Sequence, residues 1–377
     1  MRSGQAPRRG PGPGTWVAAV AAIVVVAGGL VTVARDVRPA ARPTLGASAP
    51  AAAAAVPSSA PKAKTTQPAG TITLAFAGDV HFAERTATRL AADPDTAFGE
   101  AATALRASDL TMVNLETAVT ERGSPEPKEF HFRTPATAFT ALRAAGVDVA
   151  TMANNHAADY GAVGLADTLA AIRSTRFPTI GIGADAAQAY APYYVRVRGH
   201  LIALLAASQI RDRTLAAWTA GPTSAGIASA YDDRLVAAVR AARERAEIVV
   251  VYLHWGVEGQ GCPSGDQRAL AARLAAAGAD AVVGTHAHLL LGAGYLGSTY
   301  VAYGLGNYLW WRNSAYSDDT GVLRLTFAGR RVVGAALAPA RIDGRGVPVP
   351  ATGETAARIE REWTSLVGGT GLAARAA

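Results

Sequence analysis

Residues 71–350 of the 377-residue chain predict an α/β domain. Short apolar runs recur, such as TITLAFAG at 71–78 and EIVVVYLHWG at 247–256, and their length and β-branched content are typical of buried strands. Ala/Leu/Arg stretches with helical spacing separate many of these runs, which favours parallel strands joined by helices. The later runs follow one another without such stretches, so we expect an antiparallel portion near the end of the domain.

The chain begins with a basic segment, residues 1–15, followed by an uncharged and mostly apolar segment, residues 16–34. As a helix, residues 16–34 would span roughly 28 Å, about the hydrocarbon thickness of a bilayer. Arg2, Arg8 and Arg9 precede this segment, which favours a cytoplasmic N-terminus. Two interpretations are open: an uncleaved transmembrane signal anchor, which we favour, and a cleaved signal peptide. The first predicts a single-pass protein of the cell membrane with an extracytoplasmic main domain, and the second a secreted protein.

Residues 35–70 are dominated by Ala, Pro, Ser and Thr, which predicts a disordered linker because few large apolar side chains can offset the entropy of ordering. The net charge of +7 also lies before the domain. Residues 1–70 hold eight of the 36 Lys and Arg residues and one of the 29 Asp and Glu residues, which leaves 28 of each in the remainder. A neutral domain gives no indication of nucleic-acid binding. Cys262 is the single cysteine, so an internal disulfide is excluded.

The runs that we predict as further strands are LTMVNLE (110–116), VDVATMANN (147–155), PTIGIG (178–183), YYVRVRG (193–199), LIALLAA (201–207), DAVVGTHAH (280–288), TYVAYGLGNYL (299–309), GVLRLTF (321–327) and RVVGAAL (331–337). The helical stretches are Ala97–Ala107, Thr137–Ala145, Ala162–Ser174, Tyr231–Arg245 and Asp266–Ala277, with one more amphipathic helix in the C-terminal segment 351–377. Gly278 suits the C-cap of the helix that precedes it.

Polar residues concentrate where the predicted strands end, and open α/β sheets bind ligands at the carboxyl ends of their strands. Five of the seven histidines fall at these positions, within the set Asp79, His81, Asn114, Glu116, Asn154, Asn155, His156, Asp159, His254, Glu258, His286 and His288. Two carboxylates, an amide oxygen and four imidazoles suit two divalent metal ions that share a bridging carboxylate. Nitrogen and oxygen ligands without a thiolate favour Mn, Fe or Zn in a catalytic site over a structural zinc. His156, beside Asn155, is then available as an acid towards a leaving group.

The motifs GDVHF, NLE, FRTP, ANNHAADYG, HWGVE, GTHAH and YGLGNYL follow one another in an order and at a spacing that resemble the CapA family of capsule synthesis proteins. This family, also called poly-γ-glutamate synthesis proteins, belongs to the calcineurin-like metallophosphoesterase superfamily. The resemblance covers roughly Thr71 to Ala340. It implies a four-layer α/β/β/α sandwich with a dinuclear metal centre at one edge.

The resemblance also implies a role for each motif residue. Asp79, His81 and His288 would hold the first metal, Asn155, His254 and His286 the second, and Glu116 would bridge the two. His156 resembles the general acid of the superfamily. Two departures from the superfamily pattern stand out: Glu116 replaces the usual bridging aspartate, and His81 is kept where many CapA-like chains lack it. Arg133 and Asn154 are candidate substrate-binding residues, Arg133 because a guanidinium binds anionic groups well.

Two function classes follow. The first is a metal-dependent hydrolase that acts on an anionic cell-envelope polymer or its phosphorylated precursor. The second is a non-catalytic accessory or binding protein for the assembly or export of such a polymer. Membrane proteins of capsule synthesis are expected partners in either case, and nucleic acid is not.

Overall fold

A computed structural model describes residues 70–376. The predicted N-terminal segment, membrane segment and linker (1–15, 16–34 and 35–70) lie outside the described residues, apart from Gly70. Among residues 70–376, no helix is both long and apolar enough to cross a membrane.

The strands, in chain order, are β1 (Thr71–Val80), β2 (Leu110–Leu115), β3 (Ala118–Val119), β4 (Arg133–Thr134), β5 (Val149–Thr151), β6 (Thr179–Ile180), β7 (Ile182–Gly183), β8 (Tyr193–Val197), β9 (His200–Ser208), β10 (Gly226–Ile227), β11 (Ile248–Trp255), β12 (Ala281–His286), β13 (Ala293–Leu296), β14 (Thr299–Ala302), β15 (Asn307–Leu309), β16 (Asp319–Ala328), β17 (Arg331–Ile342) and β18 (Pro348–Pro350). The helices are α1 (Arg85–Ala92), α2 (Ala101–Leu105), α3 (Thr137–Ala145), α4 (Gly161–Thr175), α5 (Ala186–Ala189), α6 (Arg213–Trp218), α7 (Asp233–Arg245), α8 (Gly265–Ala277) and α9 (Gly353–Ser365).

Two large sheets organise these elements. The first sheet has the order β18–β17–β16–β1–β2–β5–β6, with β15 also paired to β1. In it, β1, β2, β5, β6 and β15 run parallel, whereas β16, β17 and β18 form an antiparallel extension. The second sheet has the order β13–β14–β12–β11–β9–β8, with its four central strands parallel. The predicted α/β class and the antiparallel portion are confirmed.

Both faces of each large sheet are covered by other elements, and successive apolar residues along a strand pack alternately against the two covering layers. Along β11, Val250 and Tyr252 belong to a core shared with the first sheet, whereas Val249 and Val251 belong to a core shared with α7 and α8. A third core lies between the outer face of the first sheet and helices α1 to α4. The order of layers is therefore helices, first sheet, second sheet, helices.

Local sequence signals account for several helix ends. Ser264 caps α8, and its hydroxyl and the Gln267 side chain form a reciprocal capping box. Gly278, with φ 105°, ends α8 in the left-handed conformation that was expected of it.

The helix predicted over Ala97–Ala107 is wrong in extent. A 3₁₀ turn (Pro94–Thr96) and then Gly99, with φ 51°, precede α2, so only Ala101–Leu105 is α-helical.

The C-terminal segment contains the predicted helix as α9, which packs on β17. Beyond it, Tyr295 and Ala373 exchange two backbone hydrogen bonds of 2.7 and 2.9 Å. The division of the chain at residue 350 stays a prediction.

Candidate metal centre

The parallel strands of the two sheets bring their carboxyl ends together at one edge. Asp79 lies at the end of β1 and His286 at the end of β12, and the His286 backbone N–H donates to Asp79 Oδ2 at 3.2 Å. Strands of different sheets therefore deliver side chains to one place, as the rule for ligand sites in α/β folds requires.

Two groups of side chains at this edge have their potential ligand atoms within 4.8 Å of one another. The first group is Asp79, Glu116 and His288, and the second group is Glu116, His254 and His286. Glu116 belongs to both groups. A carboxylate shared by two sets of nitrogen and oxygen donors is the arrangement that a bridged pair of divalent cations needs.

Glu116 tests whether these residues fit a metal. Its side chain is wholly buried, and neither carboxylate oxygen has a hydrogen-bond partner among the described residues. Burial, with a smaller contribution from the nearby Asp79 carboxylate, raises the pKa of Glu116 well above its usual value. A buried carboxylate without hydrogen-bond partners is costly, and bound cations would satisfy its oxygens.

Asp79 is held from several directions. Asn114 donates its side-chain amide to Asp79 Oδ1 at 2.8 Å, and the imidazole Nδ1 of His288 lies 3.5 Å from Oδ2. Burial acts to raise the pKa of Asp79, but the hydrogen bond from His288 and the charges of His254 and His288 outweigh it and lower the pKa below its usual value. The carboxylate is therefore ionised, as a metal ligand must be.

In the second group, three potential ligand atoms lie close to Nε2 of His254. His254 Nε2 lies 2.8 Å from Asn155 Oδ1, 3.1 Å from His286 Nδ1 and 3.3 Å from Glu116 Oε1. One ring nitrogen cannot donate to three acceptors, whereas a cation placed among these atoms would bind all four. On the other side of the ring, Nδ1 lies 3.1 Å from both Thr285 Oγ1 and Asn114 Nδ2, and these two contacts hold the ring so that Nε2 is directed at the group.

Burial sets the charge of these rings. It lowers the pKa of His254 to about 4 and that of His286 well below its usual value, so both imidazoles are neutral at pH 7. His288 differs: burial lowers its pKa, but the hydrogen bond to Asp79 and the carboxylates of Glu116 and Asp79 prevail and raise it to about 9. In the metal-free protein, the His288 imidazolium thus supplies positive charge between two carboxylates.

The turn that carries both histidines of GTHAH is strained. His286 has φ 90° and His288 φ 58°, a region that non-glycine residues rarely occupy. Each such residue costs on the order of 1–3 kcal/mol, and strain of this kind clusters at functional sites. Here it directs two side chains, separated by one residue, to the two different groups.

His81 is buried beside the first group but is not part of it. Its Nε2 accepts the backbone N–H of Trp311 at 3.2 Å, its ring stacks on Trp310 at 4.2 Å, and its Nδ1 is buried without a partner among the described residues. The assignment of His81 to the first metal stays a prediction.

His156 lies next to the shared carboxylate, with its Nε2 3.9 Å from Glu116 Oε1. Its Nδ1 lies 2.7 Å from Asp159 Oδ2, and Lys128 Nζ donates to Asp159 Oδ1 and to the Asn155 carbonyl, both at 2.6 Å. Burial, followed by the charge of Lys128, lowers the pKa of His156 well below its usual value. Lys128 was missed at the sequence level, although a signal existed: it is the only lysine after residue 64, among 27 arginines in residues 71–377.

The two predicted substrate-binding residues, Asn154 and Arg133, differ in their surroundings. Asn154 is wholly buried, donates to Asn114 Oδ1 (3.0 Å) and to the Leu115 carbonyl (2.8 Å), and accepts the His156 N–H. Its amide forms hydrogen bonds at both ends inside the protein, which hold the loop in place, and its contact with substrate stays a prediction. Arg133 is exposed, and its guanidinium lies over the Tyr160 ring at 4.4 Å.

Comparison with known proteins decides the family. The family described as bacterial capsule synthesis protein PGA_cap matches residues 73–310, well over half of the chain. The chain is a member of the PGA_cap family. All the predicted ligands and His156 fall inside the matched residues, whereas Trp311 and Arg312 lie just beyond them.

Two relatives indicate how far the similarity extends. This PGA_cap protein is 30% identical over 259 residues to the PGA biosynthesis protein CapA of Bacillus subtilis, an alignment that covers 67% of each chain. It is 29% identical over 229 residues to the capsule biosynthesis protein CapA of Bacillus anthracis, an alignment that covers 60% of this chain and 55% of that one.

Solved structures that resemble the fold are more distant. A hypothetical protein from Thermus thermophilus aligns with a TM-score of 0.45 and 19% identity, covering 72% of this chain and 99% of that one. The NAD nucleotidase of Haemophilus influenzae aligns with a TM-score of 0.42 and 12% identity, covering 81% and 65%.

Proposed function

We propose that this PGA_cap protein is a metal-dependent hydrolase that acts on an anionic cell-envelope polymer or its phosphorylated precursor. The proposal includes two divalent ions, Mn, Fe or Zn, and a metallophosphoesterase-type α/β/β/α fold. The observation that carries it is the buried carboxylate of Glu116, which has no hydrogen-bond partner among the described residues and is common to two groups of side chains that could bind a metal.

The first ion would be held by Asp79, Glu116 and His288, with His81 beside them. The second would be held by Glu116, Asn155, His254 and His286. When bound, such a pair polarises the substrate and lowers the pKa of a coordinated water. The donor set contains no thiolate, which suits the three metals named.

His156 is the residue that we propose for proton transfer. Asp159 fixes Nδ1, so Nε2 is the atom directed towards the shared carboxylate. The pKa of this ring, lowered by burial, makes it neutral in the free protein. A bound anionic substrate adds negative charge beside the ring and favours the imidazolium that a general acid requires. The ion pair with Lys128 compensates the charge of the Asp159 carboxylate.

The test uses the full chain loaded with Mn²⁺, with bis(4-nitrophenyl) phosphate as the diester and 4-nitrophenyl phosphate as the monoester. Turnover that stops on chelation and returns with Mn²⁺ supports a hydrolase. If the protein carries two metal ions per chain and neither substrate turns over, the hydrolase proposal fails for phosphoesters, and the accessory role in polymer assembly replaces it. The names of both relatives refer to biosynthesis, not to a hydrolytic reaction, which is the observation in favour of that second candidate.

We further propose that residues 16–34 anchor the protein in the cell membrane and that the domain works outside the cytoplasm, beside membrane proteins of capsule synthesis. The uncharged apolar segment and the arginines before it support this location. Digestion of intact spheroplasts with an added protease tests it. The domain is expected to be cleaved without lysis, and protection until lysis would contradict the orientation.

A further inference from the structure

A chain of aromatic contacts leads from the metal centre to the open surface. The Phe132 ring lies 4.2 Å from the His81 ring and 4.5 Å from the His156 ring. Trp311 follows at 6.0 Å from Phe132, and Phe130 at 6.2 Å from Trp311. Phe130 is 40% exposed, which is high for a large apolar side chain. Phe132, Trp311 and Phe130 thus form an aromatic wall that leads from His81 and His156 to the solvent-exposed surface.

Arg312 covers the outer end of this wall. Its guanidinium carbon lies 4.8 Å from the centre of the Trp311 ring and 5.7 Å from that of Phe130. Its side chain is exposed, and it makes no hydrogen bond or ion pair with any residue in 70–376. A guanidinium that stacks on a ring keeps its N–H edge free, and this edge matches a carboxylate or phosphate in two parallel hydrogen bonds.

The backbone that carries Arg312 is fixed in place. The Trp310 N–H donates to the Gly346 carbonyl at 3.0 Å, and Arg85 Nε donates to the Trp310 carbonyl at 3.1 Å. The Trp311 N–H donates to His81 Nε2 at 3.2 Å, which ties the segment directly to the site. A cation held on such a support loses little freedom when it binds an anion.

Another stacked arginine, Arg211, borders a different cleft, which is less favourable for an anion. Arg211 lies over the Tyr231 ring at 4.3 Å, in a cleft of about 580 Å³ that His286 also borders. The carboxylates of Glu258 and Asp266 line the same cleft and would repel an anion. The side of Arg312 is therefore the better place for negative charge.

We propose that Phe130, Trp311 and Arg312 form a subsite for an anionic group of the substrate, a carboxylate or a phosphate, in the repeat unit next to the one at the metal centre. The apolar part of that unit packs on Phe130 and Trp311, and its anion binds the free edge of Arg312. The subsite rests on the proposed function for the reaction that it serves, but its binding requires neither metal nor turnover.

Calorimetric titration of the metal-free full chain tests the subsite. The probes are a γ-linked glutamate tetramer, the corresponding γ-linked glutamine tetramer, which is neutral along its side chains, and tripolyphosphate. Arg312→Ala should weaken binding of one anionic probe about tenfold, which corresponds to about 1.4 kcal/mol. Arg312→Lys should recover part of the loss, because it keeps the charge but not the planar stacking. The probe that responds identifies the anion as carboxylate or phosphate, and the glutamine tetramer should bind weakly to all variants.

Two variants serve as matched controls. Arg245→Ala removes an arginine at the C-terminal end of α7 that stacks on Tyr194 at 4.7 Å. Arg211→Ala removes the stacked arginine of the cleft that His286 borders. Both should bind the anionic probe as the parent chain does. Equal losses in the controls and in Arg312→Ala, or no loss in Arg312→Ala with either anion, would overturn the proposal. If binding depends on Arg312 but no phosphoester is turned over, only the hydrolase proposal fails. If a phosphoester is turned over but binding does not depend on Arg312, only the subsite proposal fails.

Discussion

Replacement of Glu116 by glutamine should change the metal-free and the metal-loaded protein in opposite directions. In the metal-free protein, Glu116→Gln replaces a buried carboxylate that has no hydrogen-bond partner among the described residues with a neutral amide, and removal of this charge should stabilise the protein by about 1–3 kcal/mol. Because burial raises the pKa of Glu116, the folded protein binds more protons than the unfolded chain above the unfolded pKa. The parent therefore loses stability as pH rises from about 4.5 towards the folded pKa, and the advantage of the variant grows over that window.

In the metal-loaded protein, the same substitution removes the ligand common to both groups. A metal present at 100 times its Kd stabilises the parent by about 2.7 kcal/mol. Loss of a shared ligand should weaken binding at least about 100-fold, the upper end of the loss seen for residues that only support a ligand. At the same metal concentration, the stabilisation of the variant then falls to about 0.4 kcal/mol.

Urea unfolding with and without Mn²⁺ measures both effects on one protein. Glu258→Gln is the matched control, because the Glu258 carboxylate lies 3.8 Å from His288 Nε2 but is 60% exposed. It should leave both stabilities close to those of the parent. If Glu116→Gln destabilises the metal-free protein and retains the full stabilisation by Mn²⁺, Glu116 is a structural residue and the account of the centre is wrong.

Three further predictions follow from the contacts of the site. His156→Ala should lower kcat by at least about 100-fold, while its metal content, measured by mass spectrometry, stays near two ions per chain. Asp79→Ala should instead lower the metal content. Loss of metal from the His156 variant would show that His156 is a ligand. Lys128→Met removes the ammonium group paired with the buried Asp159 carboxylate and should lower the free energy of unfolding in urea by about 3 kcal/mol. Arg122→Met, at an exposed pair with Asp167, should have little effect. Equal losses of stability in the two variants would contradict the importance of the buried Lys128–Asp159 pair. Because the pKa of His288 is raised to about 9 by Asp79 and Glu116 against the effect of burial, binding of Mn²⁺ at pH 7 should release at least about one proton. The release should decline as the pH passes 9, as calorimetry in two buffers measures, and a value near zero at pH 7 contradicts the proposed ligation.

Much of the fold could be predicted because its signals are local. The helix Thr137–Ala145 has the predicted bounds, and α8 lies within one residue of its prediction because a capping box and Gly278 mark its ends. The strand-end positions of Asp79, Glu116, His254 and His286 also follow from a local pattern, in which an apolar run gives way to polar residues.

The run TYVAYGLGNYL shows where local reasoning ends. Predicted as one strand, it forms β14 in the second sheet and β15 in the first. The chain crosses between the sheets at Gly304–Gly306, and a Cβ on Gly78 would lie 1.9 Å from the Gly306 carbonyl oxygen. Such a crossing depends on the close approach of β1, more than 200 residues earlier in the chain, which no window of neighbouring residues contains.

The supporting contacts of the site were also beyond sequence reasoning. Lys128 reaches Asp159 from 31 positions away, and Asn154 turns inwards to Asn114, 40 positions away. A residue type reveals what a side chain can bind, but whether the protein itself already uses that capacity depends on the packed fold. For this reason Lys128 was not predicted at all, and the prediction of Asn154 as a substrate contact could not take its internal hydrogen bonds into account.

The central claim is that two cations share Glu116 at the carboxyl edge of the two sheets. Anomalous diffraction from crystals of the protein soaked in Mn²⁺ tests it most directly. The account predicts two anomalous peaks, one among Asp79, Glu116 and His288 and one among Glu116, His254 and His286. Full-occupancy peaks elsewhere, or no peak at this edge at saturating Mn²⁺, would contradict it.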